Sequence, residues 1–128
     1  MPLISAATLH FTVGDADTAI SVGSGDLPVL ATPRLLAWCE AATCVAVHGQ
    51  VPAGSATVGT RIVLEHLAAS AVGRELTVTA SLVHTDGRLL RFEVVATHSA
   101  GPDAGTVVCH GEVTRVAVDR QRFMTRLN

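Results

Sequence analysis

The sequence predicts an α+β protein in which an antiparallel β-sheet wraps around one long helix. Three observations support this prediction: a single long helical pattern that begins near Thr32, one strand pattern before it, and four strand patterns after it. A sheet can bury one face against a single helix, and this order of elements provides one helix for that purpose. The 128 residues fit one domain, residues 1–128, whose core is large enough to fold without disulfides.

The first elements lead into the helix. Residues 8–13, TLHFTV, alternate between polar and apolar side chains as in a short strand. Residues 14–28 are rich in Gly, Asp and Ser, which predicts a loop that could close over a site. Thr32 occupies the position of an N-cap and Pro33 that of the first helical residue, where a missing N–H costs nothing. The following segment is so apolar that we expect the helix to be buried on most sides.

Four strand patterns follow the helix, at residues 55–70, 74–85, 88–98 and 105–119. They are rich in β-branched residues, and the pair Asp86-Gly87 favours a tight hairpin turn between the second and the third. We expect these four strands to form a meander. Because such a sheet leaves its edges and one face uncovered, we also expect the chain to form at least a dimer.

Composition excludes several classes of function. No apolar run approaches the roughly 18 residues of a membrane span, so no membrane partner is expected. The first residues lack a secretory signal pattern, which predicts a cytoplasmic location. A formal net charge of −2 without a basic run argues against nucleic acid as a partner. The chain has no lysine, which excludes Schiff-base chemistry and a P-loop.

The cysteines and the C-terminal arginines give weaker signals. The three cysteines form no C-x-x-C pair, so we expect buried reduced thiols and no metal site. Four arginines crowd the C-terminal end, where they could hold a phosphate-bearing ligand or form a solvated polar edge. These are Arg115, Arg120, Arg122 and Arg126.

Two ionisable residues lie within otherwise apolar patterns. Glu40 shares a helical stripe with Leu36 and Val47, so it should be buried unless a cleft or a partner intervenes. His66 lies on the strand face of Ile62, which points inward. Each residue alone could be a core residue with satisfied hydrogen bonds. Together they are better explained by a shared polar site.

The start of the helix is a further candidate for this site. A helix N-terminus offers free N–H groups that can stabilise an oxygen gaining negative charge, and the Thr32 hydroxyl is nearby. Eight residues separate Thr32 from Glu40, which is roughly 12 Å along a straight helix and too far for one carbonyl to touch both. Either the helix start bends back, or the site is built across a two-fold axis, in which case activity depends on dimerisation.

Four sequence runs resemble the hotdog-fold thioesterases of the fluoroacetyl-CoA thioesterase-like family. They are VLATPRLLAWCEAA, ATVGTRIVLEHLAASAVG, DGRLLRFEVVA and GEVTRVAVDRQRF, and the resemblance covers residues 27–124 in the same order. It implies a hotdog fold and a catalytic set of Thr32, Glu40 and His66. It also implies that the backbone at Gly59 approaches the thioester and that Arg115 lines the pocket.

The resemblance implies hydrolysis of an acyl-CoA or related acyl thioester to free acid and thiol, without a cofactor or metal. The uncovered sheet edges predict that the chain acts as a homodimer, and dimers that pair further would give a tetramer. In this hypothesis Glu40 is either a general base or a nucleophile, and His66 moves a proton to the departing thiolate. The CoA phosphates would contact Arg120 or Arg122. Val113 stands where relatives often have a histidine in the last strand, which bears on the choice of acyl group.

Three alternatives remain open at this point. A hotdog domain could bind acyl thioesters or a protein without hydrolysing them, in which case Glu40 would have no task. A hydratase or dehydratase on the same fold usually pairs a histidine with an aspartate, and no such aspartate lies near His66 in the sequence. A purely structural protein would leave both ionisable groups buried at a cost in free energy.

Overall fold

A computed structural model describes residues 5–128. The chain forms strand β1 (Ala6–Thr12), a 3-10 turn (Asp15–Asp17), the short helix α1 (Ala19–Val22), the long helix α2 (Thr32–Ala46), strands β2 (Ser55–His66), β3 (Glu75–Asp86), β4 (Leu89–His98) and β5 (Val107–Asp119), and helix α3 (Arg120–Leu127). The five strands make one antiparallel sheet that packs on α2, which confirms the predicted α+β architecture. None of the described helices is long and apolar enough to cross a membrane. The predicted lack of a secretory signal falls partly on residues 1–4, outside the described residues.

The strand order corrects the predicted meander of four strands. The order is β1-β3-β4-β5-β2, so that β2 pairs with β5 and not with β3, its neighbour in sequence. Only β3, β4 and β5 form a meander. Alternation of polar and apolar residues determines which face of each strand is buried, but it contains no information about which strand lies beside it.

Helix α2 buries one face, where Leu35, Trp38, Cys39 and Ala42 meet the sheet. The ring of Trp38 stacks on that of Phe11 with a centroid distance of 4.5 Å. The opposite side of the helix is exposed in the single chain, and Val45 there is 53% exposed. The prediction of a helix buried on most sides is therefore wrong for the monomer, because only one sheet covers it.

Local details also differ from the predictions. The N-cap of α2 is Ala31, whose carbonyl accepts the first helical hydrogen bond, and Thr32 is already helical. The hairpin between β3 and β4 turns at Gly87 and the following residue, one position later than predicted, because glycine supplies the positive φ of 59°. Residues 14–28 are not a simple loop, since they include the 3-10 turn and α1. Two of the cysteines are buried as predicted, but Cys44 is exposed.

Strand β2 forms one edge of the sheet and presents an unpaired backbone edge of 12 residues. Its pairing with β5 shifts between Gly59 and Arg61, so Thr60 is an extra residue that bulges from the ladder. Val63, in the middle of the following segment, is 44% exposed. A long edge with exposed apolar residues favours pairing with another strand.

Candidate active site

Thr32 and His66 lie together at the start of α2. The Thr32 Oγ1 is 2.8 Å from the Nδ1 of His66. The contact follows from the local fold, because Val29 forms a bridge with Ala71, and the Leu30 N–H donates to the carbonyl of Ser70. These bonds tie the residues before the helix to the segment after β2. His66 faces inward as the strand alternation predicts.

The environment of His66 favours its neutral form. Partial burial lowers the pKa of the imidazole, and a hydrogen-bonding interaction with the Ala68 backbone opposes this shift in part. The Nε2 atom is buried and has no hydrogen-bond partner within residues 5–128. A neutral imidazole can accept a proton and pass it on, which is the function required of a proton relay.

The backbone around Thr32 offers free donors. Leu35 is the first residue of the helix whose N–H bonds to a carbonyl, that of Ala31, and Pro33 has no N–H. The N–H groups of Thr32 and Arg34 have no acceptor within the described chain. A cavity of about 280 Å³ opens at this point, and its lining includes Thr32, His66, Ala19 and Leu30. An oxygen in this cavity could accept from the helix start.

Glu40 belongs to a second group of residues further along α2. Its Oε2 is 3.3 Å from the Nη1 of Arg115, whose side chain is 8% exposed. Arg115 also donates from Nε to the Thr57 hydroxyl at 2.8 Å and from Nη2 to the Thr57 carbonyl at 3.0 Å. Arg115 is thus held in place and orients Glu40. A Cβ added at Gly59 would lie 2.7 Å from Glu40 Oε2, so glycine leaves room for this carboxylate.

Glu40 is more exposed than predicted. Its side chain is 34% accessible in the single chain, whereas the stripe pattern predicted burial. The side chain lies at the border of the buried face, above β2, where a single sheet leaves the helix partly uncovered. This exposure leaves the carboxylate open to water or to a second protomer.

The two groups are separate within one chain. Helix α2 is continuous from Thr32 to Ala46, so the helix start does not bend back toward Glu40. The eight-residue offset therefore keeps Thr32 and Glu40 roughly 12 Å apart along the axis. The structure unites Thr32 with His66, and Glu40 with Gly59 and Arg115.

The remaining arginines lie at the opposite end of the sheet. Ser55 pairs with Asp119 at that end, whereas His66 pairs with Cys109 at the other. Arg120 lines a groove of about 610 Å³ near β2, while Arg122 lines a separate cavity of about 70 Å³. Neither arginine approaches the Thr32–His66 pair of its own chain.

Thr57 is a residue of the site that the sequence analysis did not identify. Its hydroxyl and its carbonyl both bind Arg115, which lies 58 residues later in the chain. The only signal was its position two residues before Gly59, which places both residues on the same strand face.

Among residues 5–128 no group of His, Cys, Asp or Glu residues could hold a metal ion.

Comparisons with known proteins identify the family and agree with the fold. The family model described as "FlK: Fluoroacetyl-CoA-specific thioesterase" matches residues 13–121. The solved structure of the fluoroacetyl-CoA thioesterase FlK shares 26% identity with a TM-score of 0.86, covering 99% of this chain and 95% of that one. A mutant of that enzyme in complex with fluoroacetate and CoA shares 26% identity with a TM-score of 0.81, covering 96% and 99%.

A more distant structure shows the same fold. A thioesterase superfamily member from Thermus thermophilus shares 20% identity with a TM-score of 0.86, covering 98% of this chain and 90% of that one. No curated protein matches the chain. The family match spans most of the sequence and agrees with the predicted resemblance, so the chain belongs to the fluoroacetyl-CoA-specific thioesterase (FlK) family and is a hotdog-fold hydrolase of acyl-CoA thioesters.

Proposed function

We propose that this thioesterase assembles its active site across the two-fold axis of a homodimer. Thr32 and His66 come from one protomer, and Glu40 with Arg115 comes from the other. Two distances carry this proposal. Thr32, at the start of α2, contacts His66 at 2.8 Å, whereas Glu40 lies roughly 12 Å further along the same helix. One thioester carbonyl cannot touch all three side chains of a single chain, but a second copy can supply the missing carboxylate.

The free edge of β2 provides the interface. If two β2 strands pair antiparallel with the two-fold axis at Val63, Leu64 faces the partner's Ile62, and both point toward the helices. With Thr60 bulged out of the ladder, His66 then faces the partner's Gly59. Directly opposed residues have Cβ atoms roughly 5 Å apart. The partner's Glu40 lies over its own Gly59, so this register brings it next to His66.

Charge and polarity support the same register. Glu65 and Arg61 both point to the outer face and are exposed in the single chain. The proposed pairing places Glu65 opposite the partner's Arg61, and the symmetry produces this ion pair twice. Val63 would meet its own copy at the axis and lose exposed apolar surface. If the two-fold axis moved by two residues along β2, like charges would lie opposite each other. If it moved by one residue, charged residues would lie opposite apolar ones.

The site then hydrolyses the thioester in the following way. The N–H groups at the start of α2 and the Thr32 hydroxyl stabilise the carbonyl oxygen as it gains negative charge. Glu40 of the partner takes a proton from water, whose oxygen attacks the carbonyl carbon. The carbon–sulfur bond breaks, and the proton reaches the departing sulfur through the ring of His66. Direct attack by the Glu40 carboxylate would form an anhydride instead. If water opens this anhydride at the Glu40 carbonyl, single turnover in ¹⁸O-water leaves the label in the protein, which the general-base route never does.

The dimer also assigns a role to Arg120. In the proposed register the partner's β2 continues past His66 to its own end at Ser55. The Arg120 N–H donates to the carbonyl of Gly54, the residue just before that end. The partner's Arg120 would therefore lie near the mouth of the site, where it can bind the phosphates of CoA. Arg122 faces Arg88 in a different cavity and is the less suitable ligand. The small cavity at Thr32 supports a short acyl group.

The location of the enzyme is part of the same proposal. The Sγ atoms of Cys39 and Cys109 are 3.8 Å apart in the core and remain unbonded. An odd number of cysteines without a C-x-x-C pair makes no disulfide framework, which supports the reducing cytoplasm as the location. Pairing through β2 leaves the exposed side of α2 free, so two dimers could join into a tetramer.

Thiol release from a panel of short, branched, aromatic and long acyl-CoAs tests the proposal. Glu40→Gln and His66→Ala should each lower kcat by about two orders of magnitude or more without unfolding the protein. Wild-type protein that releases no thiol from any substrate would contradict the proposed function.

Mixing the two inactive variants tests the shared site. Random exchange of subunits forms mixed dimers in which one of the two sites has both an intact Glu40 and an intact His66, so about a quarter of wild-type activity should return. If both residues of a site came from one chain, no mixture would recover activity. Mixing each variant with itself is the control.

A further inference from the structure

A chain of polar contacts, buried at Ser70 and His98, lies behind the start of α2 and has no role in the proposed reaction. The Ser70 hydroxyl is 2.7 Å from Nε2 of His98, and Nδ1 of His98 is 2.9 Å from Oδ2 of Asp103. Arg74 contacts the other carboxylate oxygen of Asp103. Ser70 is fully buried and His98 is 2% exposed. Nδ1 of His98 meets Asp103 at ion-pair distance but without hydrogen-bond geometry, so this contact is electrostatic. Electrostatic contacts are strengthened by the low dielectric constant inside a protein.

The tautomer of His98 follows from the chemistry of its neighbours. An ionised carboxylate has no proton to donate, so the tautomer with the proton on Nδ1, the nitrogen beside Asp103, is the favoured one. Nε2 of a neutral imidazole then accepts, and the Ser70 hydroxyl donates to it. Burial lowers the pKa of His98, and the positive charge of Arg74 lowers it further, which agrees with a neutral ring.

Serine, histidine and aspartate in this order also form nucleophilic triads, but the position of Ser70 excludes that use. Its side chain has no solvent exposure, and it does not line the cavity at Thr32 and His66. A nucleophile must reach the carbonyl carbon of its substrate. The network therefore acts on other parts of the protein and not on the thioester.

The backbone of Ser70 connects the network to the active site. The Ser70 carbonyl accepts the N–H of Leu30 at 2.8 Å, two residues before Thr32. The next residue, Ala71, forms the bridge with Val29. His98 thus holds the side chain of Ser70, and the backbone of Ser70 in turn holds the residues that lead into α2.

We propose that Ser70, His98 and Asp103 form a positioning network that fixes the start of α2 and keeps the Thr32 hydroxyl within hydrogen-bond distance of His66. The assignment of Thr32 and His66 to the reaction rests on the proposed function. The network itself transfers no proton to the substrate. Its contribution is to the rate, because reacting groups that are misplaced by about 1 Å can cost up to 10²-fold.

Two variants test the network from its two ends. Ser70→Ala removes the donor, and Asp103→Asn changes the more exposed end, where folding is at less risk. Each should lower kcat by about tenfold while KM stays within about twofold. Ser70→Thr keeps a hydroxyl and should restore kcat. Ser99→Ala is the matched control, because this exposed neighbour of His98 has a hydroxyl without a hydrogen bond in the described chain.

A second readout does not depend on turnover. The ¹⁵N chemical shift of His66 Nδ1 reports its hydrogen bond with Thr32, and it should change in Ser70→Ala and Asp103→Asn but not in Ser99→Ala. Folded variants with wild-type kcat and an unchanged Nδ1 shift would overturn the proposal. A wild type that hydrolyses no thioester would refute the proposed function, and the Nδ1 shift would still test the network.

Discussion

Replacing Gly59 with alanine should impair catalysis while leaving the fold intact. The added methyl carbon would lie 2.7 Å from Oε2 of Glu40, whereas an ordinary contact begins at 3.4 Å. The carboxylate must therefore retreat by about 0.7 Å, which also disturbs its 3.3 Å contact with Arg115. The backbone at Gly59 does not have a positive φ, so alanine is compatible with it.

The magnitudes follow from which atoms must move. The clash is with the far end of a partly exposed side chain, so a rotation of Glu40 relieves it at about 1 kcal/mol or less of unfolding free energy. The reduced freedom of the unfolded chain offsets part of this cost. Displacement of the carboxylate by most of an ångström should lower kcat by about 10- to 100-fold.

The assay is thiol release from the best acyl-CoA, measured together with thermal unfolding. Gly14→Ala is the matched control, because its added Cβ meets its nearest neighbour at 3.5 Å. Adding Gly59→Ala to Glu40→Gln should cost little further activity, since the carboxylate that it displaces is already gone. A folded Gly59→Ala protein with wild-type kcat would refute the assigned position of Glu40.

Three further predictions concern the titration of His66, the arginines of α3 and the dimer edge. Because burial lowers the pKa of His66, kcat/KM should fall only as the pH drops below about 6.5, and the unfolding free energy should decrease over the same range, since the native ring binds a proton less readily than the unfolded one. If kcat/KM already falls above that pH, burial of the imidazole is not what determines the pKa of His66. Arg120→Ala should raise KM for acyl-CoA several-fold more than Arg122→Ala, and equal effects in steady-state kinetics would refute the proposed phosphate contact. Glu65→Arg should weaken the dimer in analytical ultracentrifugation, and adding Arg61→Glu should restore it, whereas unchanged association in both would exclude the proposed register.

Local sequence patterns predicted the parts of the fold that depend on neighbours in the chain. The Thr-Pro pair located the start of α2 to within one residue, since capping and the φ of proline act over a single turn. Alternation in β2 predicted that His66 points inward, because side chains alternate between the two faces of a strand. The predicted family resemblance was confirmed by the family match.

Tertiary structure alone decided which of these elements meet. Three contacts join residues that lie 28 positions or more apart in sequence: the pairing of β2 with β5, the hydrogen bonds between Arg115 and Thr57, and the hydrogen bond between Ser70 and His98. A pattern with a period of two or 3.6 residues indicates the face of a residue and carries no information on its distant neighbour. The exposure of Glu40 has the same origin, because how much of a helix the sheet covers depends on the packing of distant elements.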